Sequence, residues 1–215
     1  MIMASFHTTS LADQIFEKLE NDIIHGVYAR GELLTELKLV EQLGVSRTPI
    51  REALRRLEQE RLIEDSGKGS VVLGITNDDL LDIMNIREKI EGLAAYYACL
   101  NMTPEGLKEL EHIMDLQDFY FEKWDVDRLR QADDMFHDAI CELSGRHVIR
   151  DTLVPLHRKT RRYRKTAMQN KARATVSLQE HHTIFEALKE GNPDKVKEMM
   201  DAHITMAKKY MLEGQ

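Results

Sequence analysis

The sequence predicts a mostly α-helical chain, with an N-terminal winged helix-turn-helix followed by an all-α helical bundle. Three observations predict it. Leu39 to Leu54 reads as a short helix, a tight turn at Gly44 and a second helix whose first turn carries hydroxyls and arginines. Leu62-Ile63-Glu64-Asp65 and Ser70-Val71-Val72-Leu73 flank Ser66-Gly67-Lys68-Gly69, a hairpin signal with glycines at its turn. Beyond residue 74 no strand alternation appears, and apolar positions keep a helical period to the end.

Each element has a local cause. Residues 1 to 10 read as a loose tail, and Ser10 caps a helix from Leu11 to His25 with Leu11, Ile15, Leu19, Ile23 and Ile24 as its stripe. In the helix-turn-helix, Ser46 suits an N-cap and Pro49 fits the first turn, where a missing N–H costs little. Leu39, Leu43, Val45, Ile50, Ala53, Leu54 and Leu57 can close a small core, which leaves Arg47, Thr48 and Arg51 facing outward. Gly74 to Asp79 form a connector, and Asn77 can cap the first bundle helix. Six helices are expected over 78–100, 104–123, 127–144, 147–168, 173–190 and 193–213. Thr103-Pro104 and Asn192-Pro193 are cap-plus-proline starts. The domains are expected over 1–76 and 77–215.

A helix start rich in free N–H groups, with arginines beside it, suits double-stranded DNA: the amides meet phosphate and the guanidinium can grip a guanine edge. A wing tip with Lys68 between Gly67 and Gly69 can reach phosphate. The alternative is an ordinary helical hairpin with solvated arginines. Net charge is −7, and residues 1–76 carry nine Lys/Arg against twelve Asp/Glu. Arg47, Arg51, Arg55, Arg56 and Arg61 are nonetheless concentrated in one short stretch, and local field governs the contact surface. Two cysteines, Cys99 and Cys141, sit in helical patterns and suggest no disulfide framework. No signal core or membrane-span-length apolar run occurs, so a cytoplasmic location is expected.

Residues 11 to 73 resemble the DNA-binding domain of the GntR family of bacterial transcription regulators. The resemblance is carried by Gly31-Glu32-Leu33-Leu34-Thr35-Glu36, by Leu43 through Leu57 with its Val45-Ser46-Arg47-Thr48-Pro49 and Arg51-Glu52-Ala53-Leu54 core, and by Gly67-Lys68-Gly69-Ser70-Val71. It implies DNA contacts from Ser46, Arg47, Thr48 and Arg51, with Thr35 and Glu36 in the same surface and Gly67, Lys68 and Gly69 at the wing. The chain departs from the family pattern at Leu37, often basic or polar there, and at Arg61, usually glycine.

In the bundle, Asp133 and His137 stand four apart and share a helix face, at the border of the stripe made by Leu129, Ala132, Phe136, Ile140 and Leu143. Asp134 and Asp138 fall on the opposite, wet face of that wheel. His181 shares a face with Ile184, Phe185 and Leu188, and His203 lies among Val196, Met199, Met200 and Ala207. Three helices thus aim imidazoles inward, one with a carboxylate. Neutral imidazoles and a carboxylate suit zinc, nickel, manganese or iron. Each histidine alone reads better as a hydrogen-bonded core residue than as a ligand, and the three with Asp133 leave the two readings even. His182 points off this face, and His7, His25, His112, His147 and His157 read as surface or edge residues.

Residues 78 to 212 resemble the FCD ligand-binding domain of the FadR-like branch of the same family. The markers are Ile86 to Glu91, Asp133-Asp134-Met135-Phe136-His137, Glu180-His181 and Ala202-His203-Ile204. The resemblance implies a divalent metal ion, zinc by default, bound by Asp133, His137, His181 and His203. It departs at Gly145-Arg146, where Gly-Asn is common. It further implies a small carboxylate metabolite as effector. Arg87, four residues before Glu91, is the leading anion clamp, with an ion pair to Glu91 as the other reading. Arg158 to Lys165 holds six basic residues in eight, most of them expected in solvent, with Tyr163, Arg158 or Arg162 able to line the cavity. The expected whole is a homodimer reading an inverted repeat of operator DNA under effector control. A metal-dependent hydrolase and a regulator sensing the metal itself are the alternatives.

Overall fold

The structure, a computed structural model, describes residues 10–213. Of the expected tail only Ser10 is described, and His7 also lies outside the described residues. The chain divides into two units, Met1–Ile75 and Thr76–Gln215.

The first unit contains α1 (Leu11–Ile24), β1 (Leu33–Leu34), α2 (Glu36–Leu43), α3 (Arg47–Gln59), β2 (Ile63–Asp65) and β3 (Ser70–Val72). Ser10 closes a capping box with Asp13. The strands form an antiparallel sheet in the order β1-β3-β2, with Ile63 opposite Val72 and Leu33 opposite Val71. β1 is too short to carry a period, so sequence alone did not reveal it. One continuous core joins Ile15, Leu19, Ile23, Leu39, Ile50, Leu57, Ile63 and Val72. Leu11 is exposed rather than part of the α1 stripe, and Ala12 and Phe16 are buried in that helix. Gly44 ends α2 at φ 66°, where a side chain is disfavoured, and its N–H bonds Val40 O at 2.9 Å. Arg61 adopts the same left-handed region at φ 55°. Arg61 takes up this glycine-favouring conformation at a cost of about 1–2 kcal/mol.

The second unit contains α4 (Asn77–Leu100), α5 (Pro104–Lys123), α6 (Val126–Leu143), α7 (His147–Gln169), α8 (Lys171–Glu190) and α9 (Pro193–Glu213). Thr76, not Asn77, caps α4: its hydroxyl accepts from Asp79 N at 3.1 Å while Asp79 accepts from Thr76 N at 2.9 Å. Thr103 and Asn192 cap α5 and α9 as their sequence predicts. No helix among the described residues is long and apolar enough to cross a membrane.

The bundle interior carries charge. Asp134, expected in water, is buried, because arginines of α6 and α7 cover it. His157, expected at the surface, is also buried. It follows Leu153 and precedes Thr160, Arg164 and Met168 in a single inward stripe of α7.

Candidate nucleic-acid interface and metal centre

In the first unit Ser46, Arg47 and Thr48 are exposed at the start of α3. Ser46 stands at the N-cap with extended backbone, but its hydroxyl makes no capping hydrogen bond. Thr35, Glu36, Arg51, Gly67, Lys68 and Gly69 line one groove of about 440 Å³ between α3 and the wing. Gly69 has φ 146°, and a Cβ there would fall 2.6 Å from Leu34 O, so wing and β1 meet closely only because the residue is glycine. Arg51 Nε donates to Glu36 Oε1 at 2.7 Å across the groove. That bond is the main reason the Glu36 carboxyl sits below its ordinary value and the Arg51 guanidinium above. Arg56 is not part of this face: it stacks 4.0 Å from the Phe16 ring centroid and pairs with Asp13.

In the second unit α6, α8 and α9 bring His137, His181 and His203 together, with one ligating atom of each inside a 4.8 Å span. His203 Nε2 lies 3.2 Å from His181 Nε2 and 3.4 Å from His137 Nε2. Asp133 completes the set, with carboxylate oxygens 3.7 Å from His181 Nε2 and 3.9 Å from His137 Nε2. All four side chains are buried.

The other nitrogen of each imidazole faces an oxygen. His181 Nδ1 meets Gln117 Oε1 of α5, His203 Nδ1 meets Glu180 Oε2 of α8, and His137 Nδ1 lies against Glu91 Oε2 of α4, each at 2.8 Å. Gln117 Nε2 donates to Ala132 O, which fixes its amide orientation. Carboxylate and amide oxygens only accept, so Nδ1 of His181 and of His203 carries a hydrogen, while His137 Nδ1 lies against Glu91 without hydrogen-bond alignment. The three Nε2 atoms face one another across the centre of the cluster. Burial dominates at His137 and His181 and holds both well below the ordinary histidine value, so they stay neutral. Burial opposes ionisation of Glu91 and Asp133. Arg87, His157 and His137 overcome it at Glu91, chiefly Arg164 and His137 at Asp133, and both carboxyls stay below their ordinary values.

Such a donor set fits a divalent ion. Metal–nitrogen bonds of about 2.0–2.1 Å place nitrogens about 2.8–3.0 Å apart in octahedral and about 3.3–3.4 Å apart in tetrahedral arrays. Asp133 Oδ2 is buried without a well-aligned hydrogen-bond donor, although Arg164 Nη1 lies 2.9 Å from it. Carboxylate and amide partners behind ligating imidazoles are the usual support of metal sites.

The FCD domain family matches residues 82–206, and the "Bacterial regulatory proteins, gntR family" matches residues 11–72. The chain belongs to the GntR family and carries an FCD domain. It is 30% identical over 195 residues to the HTH-type transcriptional regulator YdhC of Bacillus subtilis, covering 88% of this chain and 86% of that protein. It is 28% identical to the HTH-type transcriptional repressor RspR of Escherichia coli, covering 92% and 87%. The solved structure of E. coli McbR/YncC matches with a TM-score of 0.81 at 23% identity, covering 96% of this chain and 99% of that one, and so shares the fold. This GntR-family chain is a DNA-binding transcription regulator, and its relatives are regulators rather than enzymes.

In this regulator the cavity beside the imidazoles is lined by Arg87, Asp133, His137, Arg164, Arg173 and His203, with Met168 and Met211 among its apolar walls. Its free volume is about 20 Å³, roughly the room of one water. Arg87 does reach it, pairs with Glu91 in a buried rather than a surface ion pair, and donates to Thr160 Oγ1 at 3.1 Å. Glu91 serves as the partner of Arg87, His137 and His157. Arg158, Arg162 and Tyr163 do not line the cavity, and Arg162 is exposed. The α7 stripe turns Arg164 inward instead. Sequence reasoning missed Arg164, Arg173, Gln117, Glu180 and His157. The spacing Leu153-His157-Thr160-Arg164-Met168 is the signal that points to two of them.

Proposed function

We propose that this regulator reads operator DNA as a homodimer through Ser46, Arg47, Thr48 and Arg51 of α3 and the Lys68 wing, under control of a divalent metal centre in the bundle. Asp133, His137, His181 and His203 would hold the ion, which when bound supplies Lewis acidity and open coordination positions. The observation that carries this reading is the set of three buried Nε2 atoms converging on one point, each imidazole backed by a carboxylate or amide oxygen. Arg164, Arg87 and Arg173 give the cavity the chemistry to receive a small carboxylate effector beside the ion. That effector would act by favouring one arrangement of the DNA-reading units over another.

The test is elemental analysis of the purified protein against the variant with both His181→Ala and His203→Ala. The expected result is about one zinc-class ion per wild-type chain and none in the variant. Equal metal content in the two sinks the ligand set. The small cavity also favours a second reading, in which the ion itself is the signal. Operator binding that changes with metal alone, and no further with any small carboxylic acid, would select that version.

A further inference from the structure

We propose that Asp133 is exchanged between Arg164 and the metal ion, and that this exchange uncovers the anion-binding face of the cavity. The inference rests on the metal reading above. Asp133 stands between two claimants. One of its oxygens, Oδ2, lies 2.9 Å from Arg164 Nη1 and 3.9 Å from His137 Nε2, and the other, Oδ1, lies 3.7 Å from His181 Nε2. One carboxylate cannot neutralise a buried guanidinium and ligate an ion with full strength at both, because each contact draws on the same lone pairs.

Arg164 is built to survive the loss. Its Nη1 also donates to Asp134 Oδ1, and Asp134 is anchored in turn by Arg130 and lies 3.3 Å from Arg161 Nε. Three guanidiniums share Asp134, so its negative charge is oversubscribed. When Asp133 turns to the ion, Arg164 stays fixed by Asp134 but loses half of its compensation. Its Nη2 is already buried without a hydrogen-bond partner, and the side chain lines the same cavity as the imidazoles. A buried, fixed and under-neutralised guanidinium a few ångströms from the ion is a receptor for a carboxylate. Metal first, carboxylate second is then the order of binding, and the apo protein has its anion site filled by its own Asp133.

The experiment measures zinc affinity of the full chain by competition with a chromogenic chelator, in wild type, Arg164→Gln, Asp133→Asn and the double variant. Freed of its rival, Asp133 should bind the ion more tightly, so Arg164→Gln raises zinc affinity about tenfold in the wild-type background. In the Asp133→Asn background the same change should alter affinity by less than about twofold. An equal gain in both backgrounds means that Arg164 acts only as a repelling charge, and overturns the exchange while leaving the metal reading intact. Wild-type protein that takes up no zinc overturns both at an earlier step. Should Arg164→Gln not fold, a zinc-loaded structure of the wild type decides: Asp133 on the ion and Arg164 on Asp134 alone supports the exchange, and a retained Asp133–Arg164 pair refutes it. Acetate is the anion probe. Its affinity should rise with zinc loading in the wild type and not in Arg164→Gln, and a rise that persists in the variant removes the anion half of the proposal.

Discussion

The two units handle charge in opposite ways. The first keeps its ionic groups outside apart from the buried Glu20: Arg47, Arg51, Arg55 and Lys68 are exposed around a continuous apolar core. The second folds arginines, carboxylates and histidines into its centre, among them Arg87, Glu91, Asp133, Arg164, His181 and His203. A surface charge is available to a polyanion as it arrives, with only water to displace. A buried charge needs partners at all times, and a bundle that buries this many has specialised its interior for something other than cohesion. The contrast teaches where to look for each activity: outside in the reading head, inside in the sensor.

Breaking a buried pair should therefore give the largest effect. Arg87→Ala leaves Glu91 charged and uncompensated between two histidines, and is expected to cost the second unit about 3–5 kcal/mol in denaturant unfolding. A cost under about 1 kcal/mol would erase the distinction between the units.

Acid gives the next test, and its sign is the same for both kinds of buried group. Glu91 and Asp133 have folded values below the ordinary one, so their contribution is present above the ordinary carboxylate value and fades as pH falls through the folded values. His137 and His181 are also lowered, so below about pH 6.5 the unfolded chain takes up protons that the folded chain refuses. Metal-free protein followed by thermal unfolding should lose stability in the second unit from about pH 6.5 downward, while the first changes little. A parallel decline in both would contradict the contrast.

Two smaller effects sharpen the first unit. Arg47→Ala should lower specific operator affinity by about 1–3 kcal/mol at fixed salt, measured by titration, if it grips a base edge bidentately. Glu36→Gln should change folding stability by less than about 1 kcal/mol, since its partner Arg51 is exposed, and should leave Arg51 freer to meet DNA.

Local features were legible and long-range ones were not. The helix-turn-helix, its glycine turn and the wing are each written in fewer than twenty consecutive residues, where capping and period act directly. Asp133, His137, His181 and His203 were legible because each lies at the stripe of its own helix. The partners behind them were hidden: Gln117 is 64 residues from His181, and Glu180 is 23 from His203. Only packing decides such pairs. Asp134 misled because a helical wheel marks it polar and knows nothing of the arginines on α7 that close over it. Arg158 to Lys165 misled for the matching reason: composition says solvent, and only the stripe through Leu153 and Met168 tells which cation turns in.

The acceptors behind the three imidazoles come from α4, α5 and α8, the nitrogens themselves from α6, α8 and α9, and Arg164 from α7. Every helix of the bundle thus has one side chain tied into a single knot. Under the proposed metal reading, an ion that tightened that knot would pull on six rods together, so news of its occupancy would need no dedicated wire.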